Sequence, residues 1–280
     1  SYDQAIKINS NYADAYNNKG NALKELNRYK EALASYDKAI QIKTNHVDAY
    51  NNRGIVLQNL NRYQDALASY DEAIKINPNY FFAHSNRGNV LKYLNQYEEA
   101  LASYDRAIKI NPYFVDTYNN KGNALKDLKQ FDDALANYKN VHKLKSDFDY
   151  ILGKILHTSM TLCNWSDFES LTEKISNALN KKNRVIDPFI FLGLIDNPAL
   201  SKLTSEIFVE DKIPKRSENK PLAKYNNHKK PRIGYFSADF YDHAVLHLMM
   251  DVFKNHNKSL FDFYGFSFGP DKNDKWRNEV

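Results

Sequence analysis

The residues best equipped for chemistry gather in one short stretch, Asp239-Phe-Tyr-Asp-His243-Ala-Val-Leu-His247. The run before it, Arg232-Ile-Gly-Tyr-Phe-Ser-Ala-Asp239, is aromatic and β-branched and reads as a strand. The turn therefore lies at a strand's carboxyl end, where open α/β sheets gather their ligands. His243 falls near the start of the following helix, whose end amides favour a neutral imidazole and also receive phosphate. It is read as a general base or substrate contact supported by Asp239, with capping or core packing as the alternative. His243 and His247 are four apart and share a helix face with Asp239 or Asp242 nearby. A third ligand at metal-site spacing is not evident, so no metal is expected and His247 is assigned a structural role.

A second set of candidates is columnar. Ala-Leu-Ala-Ser-Tyr-Asp begins at Ala32, Ala66 and Ala100, and Ala-Leu-Ala-Asn-Tyr-Lys at Ala134, 34 residues apart each time. Tyr16-Asn-Asn-Lys-Gly20 recurs at Tyr50, His84 and Tyr118 with the same period. Asn18, Asn52, Asn86 and Asn120 thus hold one position in four successive units. Asparagine is a mediocre helix former, and its amide both donates and accepts. A column of such amides could grip an extended peptide backbone without reading its side chains. The alternative is that they bond to neighbouring units. Asp14, Asp48 and Asp116 form a second column, interrupted by Phe82, which selects basic or hydroxyl-bearing peptides or caps helix N-termini and complements their dipoles. Lys19, Arg53, Arg87 and Lys121 are expected to pack their stems between units while their charges reach water.

These columns need helices to carry them. Tyr16, Gly20 and Leu23 share a face of a first helix, and Ala32, Tyr36 and Ala39 a face of a second. Glycine weakens a helix, so Gly20 is expected where the second helix comes too close for a side chain. Asn77-Pro78 and Asn111-Pro112 end second helices. A 34-residue helical hairpin cannot bury its apolar face alone, whereas stacked copies form a solenoid with a concave groove. The pattern is that of tetratricopeptide (TPR) repeats, one partial and four full over residues 1–148. The fold class is mainly α.

Residues 149–213 read as a helical transition. It holds a pair over 150–162 and 167–179, Trp165 as a large residue covering the solenoid end, and a partly helical run from Pro188 to Ile213. Residues 214–230 are a linker by composition. Asp211 to Arg232 carries eight Lys/Arg against two acids, a local +6 within a net +5. It lacks the interleaved aromatics of a nucleic-acid footprint, and no nucleic-acid partner is expected. Residues 231–280 begin an α/β domain. After the first strand come an amphipathic helix over 244–256, with Val245, Leu248, Met249, Val252 and Phe253 inward, and a second strand over 260–268, a βαβ unit expected to be parallel. No apolar run reaches the roughly 18 residues of a membrane span. With Cys163 as the single cysteine and no signal segment, the expected compartment is cytoplasmic.

The stretch from Arg232 through Met249, continued by Phe263-Tyr-Gly-Phe-Ser-Phe-Gly-Pro-Asp271, resembles the start of the catalytic region of O-GlcNAc transferase and SPINDLY-like proteins. Leu162-Cys-Asn-Trp-Ser-Asp-Phe168 looks like the segment where that family leaves its repeats, and the repeat wording resembles bacterial members. The resemblance implies a metal-independent, inverting glycosyltransferase with two Rossmann-like lobes (GT-B type) and no cofactor. It would transfer a sugar from a nucleotide donor such as UDP-GlcNAc to Ser or Thr of proteins. His243 matches a family histidine in the active-site cleft, and Asp239 and Phe240 the residues leading to it. Ala244 stands where many members have proline, so the turn is less rigid. The family lines its groove with asparagines at the position of Asn18, Asn52, Asn86 and Asn120. On this reading the chain is cut at both ends and, lacking the donor-binding lobe, does not catalyse transfer by itself. The alternative is a non-enzymatic TPR scaffold.

Overall fold

The computed structural model describes residues 2–212, 230–237, 249–250 and 252–267. The chain divides into two compact units, Ser1–Lys215 and Arg216–Val280.

In the first unit nine helices run through the repeats: α1 (Tyr2–Ile8), α2 (Ala13–Glu25), α3 (Tyr29–Ile42), α4 (Val47–Asn59), α5 (Tyr63–Ile76), α6 (Phe81–Tyr93), α7 (Tyr97–Ile110), α8 (Val115–Asp127) and α9 (Phe131–Leu144). Each even-numbered helix packs on the odd-numbered helix that follows it. The sequence explains how closely. A Cβ added at Gly20, Gly54, Gly88 or Gly122 would lie 2.5–2.7 Å from a ring carbon of Tyr36, Tyr70, Tyr104 or Tyr138. Those tyrosines are fully buried, between alanines such as Ala32 and Ala39 that are buried as completely. Their hydroxyls would be costly to bury unpaired. They donate to Asn21, Asn89 and Asn123 at 2.8–2.9 Å in three repeats. In the remaining one Ile55 stands at the acceptor's place, and Tyr70 reaches Gln58 instead at 3.4 Å.

The turn inside each hairpin needs a left-handed residue. Asn27, Asn61 and Asn95 supply it at φ 58–60°, and each accepts from the hydroxyl of Tyr29, Tyr63 or Tyr97. In the fourth repeat both partners change together: Lys129 takes the left-handed place and Phe131 has no hydroxyl to offer.

Beyond the repeats α10 (Ile151–Thr161) and α11 (Phe168–Asn180) form the expected pair, followed by α12 (Pro188–Leu192) and α13 (Pro198–Lys212). Asp187 caps α12 by accepting from the Phe189 amide. Trp165 does not cover the solenoid end as expected. It is 53% exposed and packs edge-on against Phe168, because it lies in the turn between α10 and α11. The element packed on the last repeat helix is α10, itself held by a non-helical strap. Arg184 and Val185 accept through their carbonyls from the amides of Tyr150 and Gly153. Ile186 is buried against Gly153, where a side chain would leave no room.

The second unit contains β1 (Arg232–Ser237) and β2 (Asp262–Ser267), paired in parallel from Arg232 with Asp262 to Ser237 with Ser267. The intervening residues 249–250 and 252–254 are helical. The inward residues differ in part from the expected set: Met250 is buried and Phe253 packs on Tyr235, whereas Val252 is 42% exposed. Met250 and Phe253 are three apart and share a face, which turns Val252 away. A parallel pair with a crossover helix is the unit from which a Rossmann-like domain is begun.

Candidate peptide groove and catalytic turn

The geometry of the first unit fixes which helices line its inner side. The first helices of successive repeats touch one another (α2 with α4, α4 with α6, α6 with α8), while α3, α5, α7 and α9 do not. The stack therefore curves with the first helices inside, and the asparagine column lies along them.

The amides are neither free nor consumed. Asn52 donates to Asn17 Oδ1 at 3.1 Å, and Asn86 to Asn51 Oδ1 at 3.0 Å, so each rung is tied to the repeat before it. Within a repeat, Asn17, Asn51 and Asn119 donate weakly to Asn18, Asn52 and Asn120 at 3.3–3.5 Å. For Asn120 the residue 35 positions earlier is Ser85, not an asparagine, and the Ser85 hydroxyl accepts from Thr117. An amide has two N–H groups and two acceptor sites. Among the described residues Asn52 and Asn86 keep one N–H, and Asn18 and Asn120 both. Asn17 and Asn51 are buried beneath, while the column itself is exposed at Asn18 and half-buried at the other three. The inter-repeat bonds thus hold the outer amides in place without using up their capacity.

The aspartates are partly tied to the next repeat. Asp14 Oδ1 lies 3.1 Å from Nε2 of buried His46, at ion-pair distance without hydrogen-bond alignment. Asp48 accepts from the Tyr80 hydroxyl at 2.6 Å. At the equivalent place Phe82 meets Phe114 edge-on, with ring centroids 5.3 Å apart. Asp116 is exposed. None of α2, α4, α6 and α8 has a side-chain N-cap bond, so these aspartates do not cap. They sit in the first turn, where they complement the dipole.

The basic column does more than reach water. Arg53 donates to Asp37 of the preceding repeat at 2.7 Å and to Ser69 of its own at 2.6 Å, and Arg87 repeats this with Asp71 and Ser103. Lys121 pairs with Asp105. Arg53, Arg87 and Lys121 each rivet their helix to the second helix before it, and Arg53 and Arg87 also to the one after it.

Sequence reasoning missed Lys154, on α10. It is half-buried, donates to Asn119 Oδ1 at 2.6 Å and Asn123 Oδ1 at 3.1 Å, and lies 5.5 Å from the Tyr138 ring centre. Burial lowers its pKa to about 8, with Lys126, Lys92 and Lys212 adding to the effect. Its place 34 residues after Asn120 was the available signal. Asp239, Phe240, Asp242, His243 and His247 lie outside the described residues, as does the stretch 213–229 that contains most of the expected linker. Among the described residues no group of three or more His, Cys, Asp or Glu is placed to hold a metal. No described helix is long and apolar enough to cross a membrane.

Comparison with known proteins follows these divisions. Tetratricopeptide repeat families match residues 1–34, 47–80, 69–102 and 115–148, and a TPR repeat family matches 20–61 and 88–129. Glycosyl transferase family 41 matches residues 205–280. Among solved structures, the chain resembles PilW, a type IV pilus biogenesis factor (TM-score 0.57, 20% identity, 63% of this chain and 82% of that one). It also resembles YrrB, a TPR protein (TM-score 0.51, 20% identity, 74% and 98%), and MamA from Desulfovibrio magneticus RS-1 (TM-score 0.52, 21% identity, 60% and 93%). These likenesses establish the solenoid fold. A probable UDP-N-acetylglucosamine–peptide N-acetylglucosaminyltransferase, SEC of Arabidopsis thaliana, is 25% identical over 141 residues, covering 45% of this chain and 14% of SEC. Repeats that tile the first half, a family 41 segment after them and this relative make the chain similar to TPR-containing, O-GlcNAc transferase-like proteins, and it spans about a seventh of the length of the curated relative it matches.

Proposed function

We propose that the chain is the acceptor-binding arm and the beginning of the catalytic region of a protein O-glycosyltransferase. It passes a sugar from a nucleotide donor, UDP-GlcNAc in the first instance, to Ser or Thr of proteins. The observation that carries this reading is the run of amide-lined repeats followed, beyond α10, α11 and α12, by the family 41 segment at 205–280. The asparagine column supplies sequence-tolerant hydrogen bonds to an extended backbone, which suits an enzyme that modifies many proteins. His243, supported by Asp239, is the proposed active-site residue of a GT-B type lobe, acting as general base or substrate contact without a metal. The site of action is the cytoplasm.

The test is transfer. Radiolabelled nucleotide sugars offered with a pool of Ser/Thr peptides to the full-length parent protein should give labelled peptide, and His243→Ala should reduce labelling by about 10²-fold or more. Undiminished transfer by that variant would remove His243 from the chemistry. No transfer with any nucleotide sugar would leave the solenoid as a protein-docking scaffold.

A further inference from the structure

Lys154 continues the asparagine column. It stands 34 residues after Asn120, and its bond to Asn119 repeats the 35-residue step by which Asn52 reaches Asn17 and Asn86 reaches Asn51. The inner strip therefore has a fifth rung, and that rung is a cation where the other four are neutral amides.

The charge around this rung is unbalanced. Among the described residues Lys154 bonds to two amide oxygens and rests by one aromatic ring, with no carboxylate in contact. The charged groups that act on it are Lys92 of α6, Lys126 of α8 and Lys212 of α13, all cations. Nearby acids are engaged elsewhere: Asp127 lies 3.7 Å from Lys92, and Asp211 is shared by Tyr150, Arg184 and Lys212. A half-buried ammonium among neutral acceptors and like charges is costly, and an anion bound against it offsets that cost. An ammonium has three N–H donors, and two are taken.

We propose that Lys154 is an anion subsite at the end of the column, seating a carboxylate of the extended peptide that the asparagines hold. This rests on the peptide-groove reading and sharpens it. The four amide rungs accept any backbone, and the fifth selects acceptors with an acidic group at one fixed distance along the strand. The carboxylate comes from an Asp or Glu side chain or from a peptide C-terminus.

Fluorescence anisotropy with the full chain tests this. The probes are labelled Ser/Thr/Ala peptides that are neutral and amidated, the same peptides with one Asp moved stepwise along them, and the neutral peptide as free acid. The expected result is about tenfold tighter binding for one Asp register or for the free acid, which also tells the two sources apart. In Lys154→Gln that ratio should fall to about one. In the wild type it should fall as pH rises past about 8, where Lys154 loses its proton. Lys154→Arg should keep the ratio at pH 9, which decides the matter even if Lys154→Gln folds poorly. Equal binding of acidic and neutral peptides overturns the subsite and leaves the groove standing. A preference that survives in Lys154→Gln overturns the role of Lys154. If no peptide binds at all, groove and subsite fall together.

Discussion

Replacing Gly54 by alanine should destabilise this protein, against the usual benefit of that change in a helix. Alanine is favoured over glycine in a helix interior by about 1 kcal/mol. Here the new methyl would lie 2.5 Å from Tyr70 Cε1 and 2.8 Å from Cζ, so the ring must withdraw by roughly 1 Å to reach ordinary van der Waals contact. Tyr70 is fully buried between Ala66 and Ala73 and has nowhere to go. Overpacking of this kind costs about 1–3 kcal/mol, so the net effect is a loss of up to about 2 kcal/mol. Urea denaturation of the full chain, followed by helical circular dichroism, measures it. Solenoids unfold by neighbouring repeats, so the shift should appear as an earlier first phase or a lower midpoint. The decisive comparison is the same substitution in a Tyr70→Leu background, where the methyl has space and should become neutral or stabilising by about 1 kcal/mol. If Gly54→Ala stabilises the wild type, the close-approach argument is wrong for all four repeats.

Three further outcomes follow from single contacts. Tyr36→Phe and Tyr104→Phe should each cost about 1 kcal/mol, but Tyr70→Phe less than about 0.5, since its bond to Gln58 is long; equal losses in urea titration would contradict this. Lys129→Asn should stabilise by about 0.5 kcal/mol, because Asn tolerates the left-handed region, and adding Phe131→Tyr should increase the gain by restoring the hydroxyl partner; a fall in thermal midpoint would refute it. Stability should rise between pH 8 and 10, because folded Lys154 has released its proton near 8 while the unfolded chain binds one up to about 10.5. Above pH 10 it should fall, because the buried phenols of Tyr36, Tyr70, Tyr104 and Tyr138, whose pKa values burial raises, ionise only on unfolding. Lys154→Met should abolish the rise, and a pH-stability profile that keeps it would assign the effect to another group.

How far the sequence reveals this molecule depends on whether a contact is local and periodic. Gly20 against Tyr36 is legible because both recur every 34 residues and only one packing satisfies a glycine facing a large ring. The bonding of Asn52 to Asn17 is harder to read, since a contact 35 residues away depends on how tightly the stack curves. The doublets Asn17-Asn18, Asn51-Asn52 and Asn119-Asn120 hint at it, and Ser85-Asn86 marks the break. Trp165 stays exposed despite its size, because size favours burial only where the backbone turns the side chain inward. The strap at 184–186 left no signal, because its main-chain bonds to Tyr150 and Gly153 require no particular side chain. Lys154 breaks the column by residue type and continues it only by position, so periodicity of type alone does not reveal it.

If the asparagine column holds a peptide strand, peptide affinity must depend on it. Titrating a labelled neutral peptide into the triple variant Asn52→Ala, Asn86→Ala and Asn120→Ala, with thermal melting as a control for folding, should show at least a tenfold loss against the wild type. Undiminished affinity in a folded variant would show that these amides serve only to join the repeats.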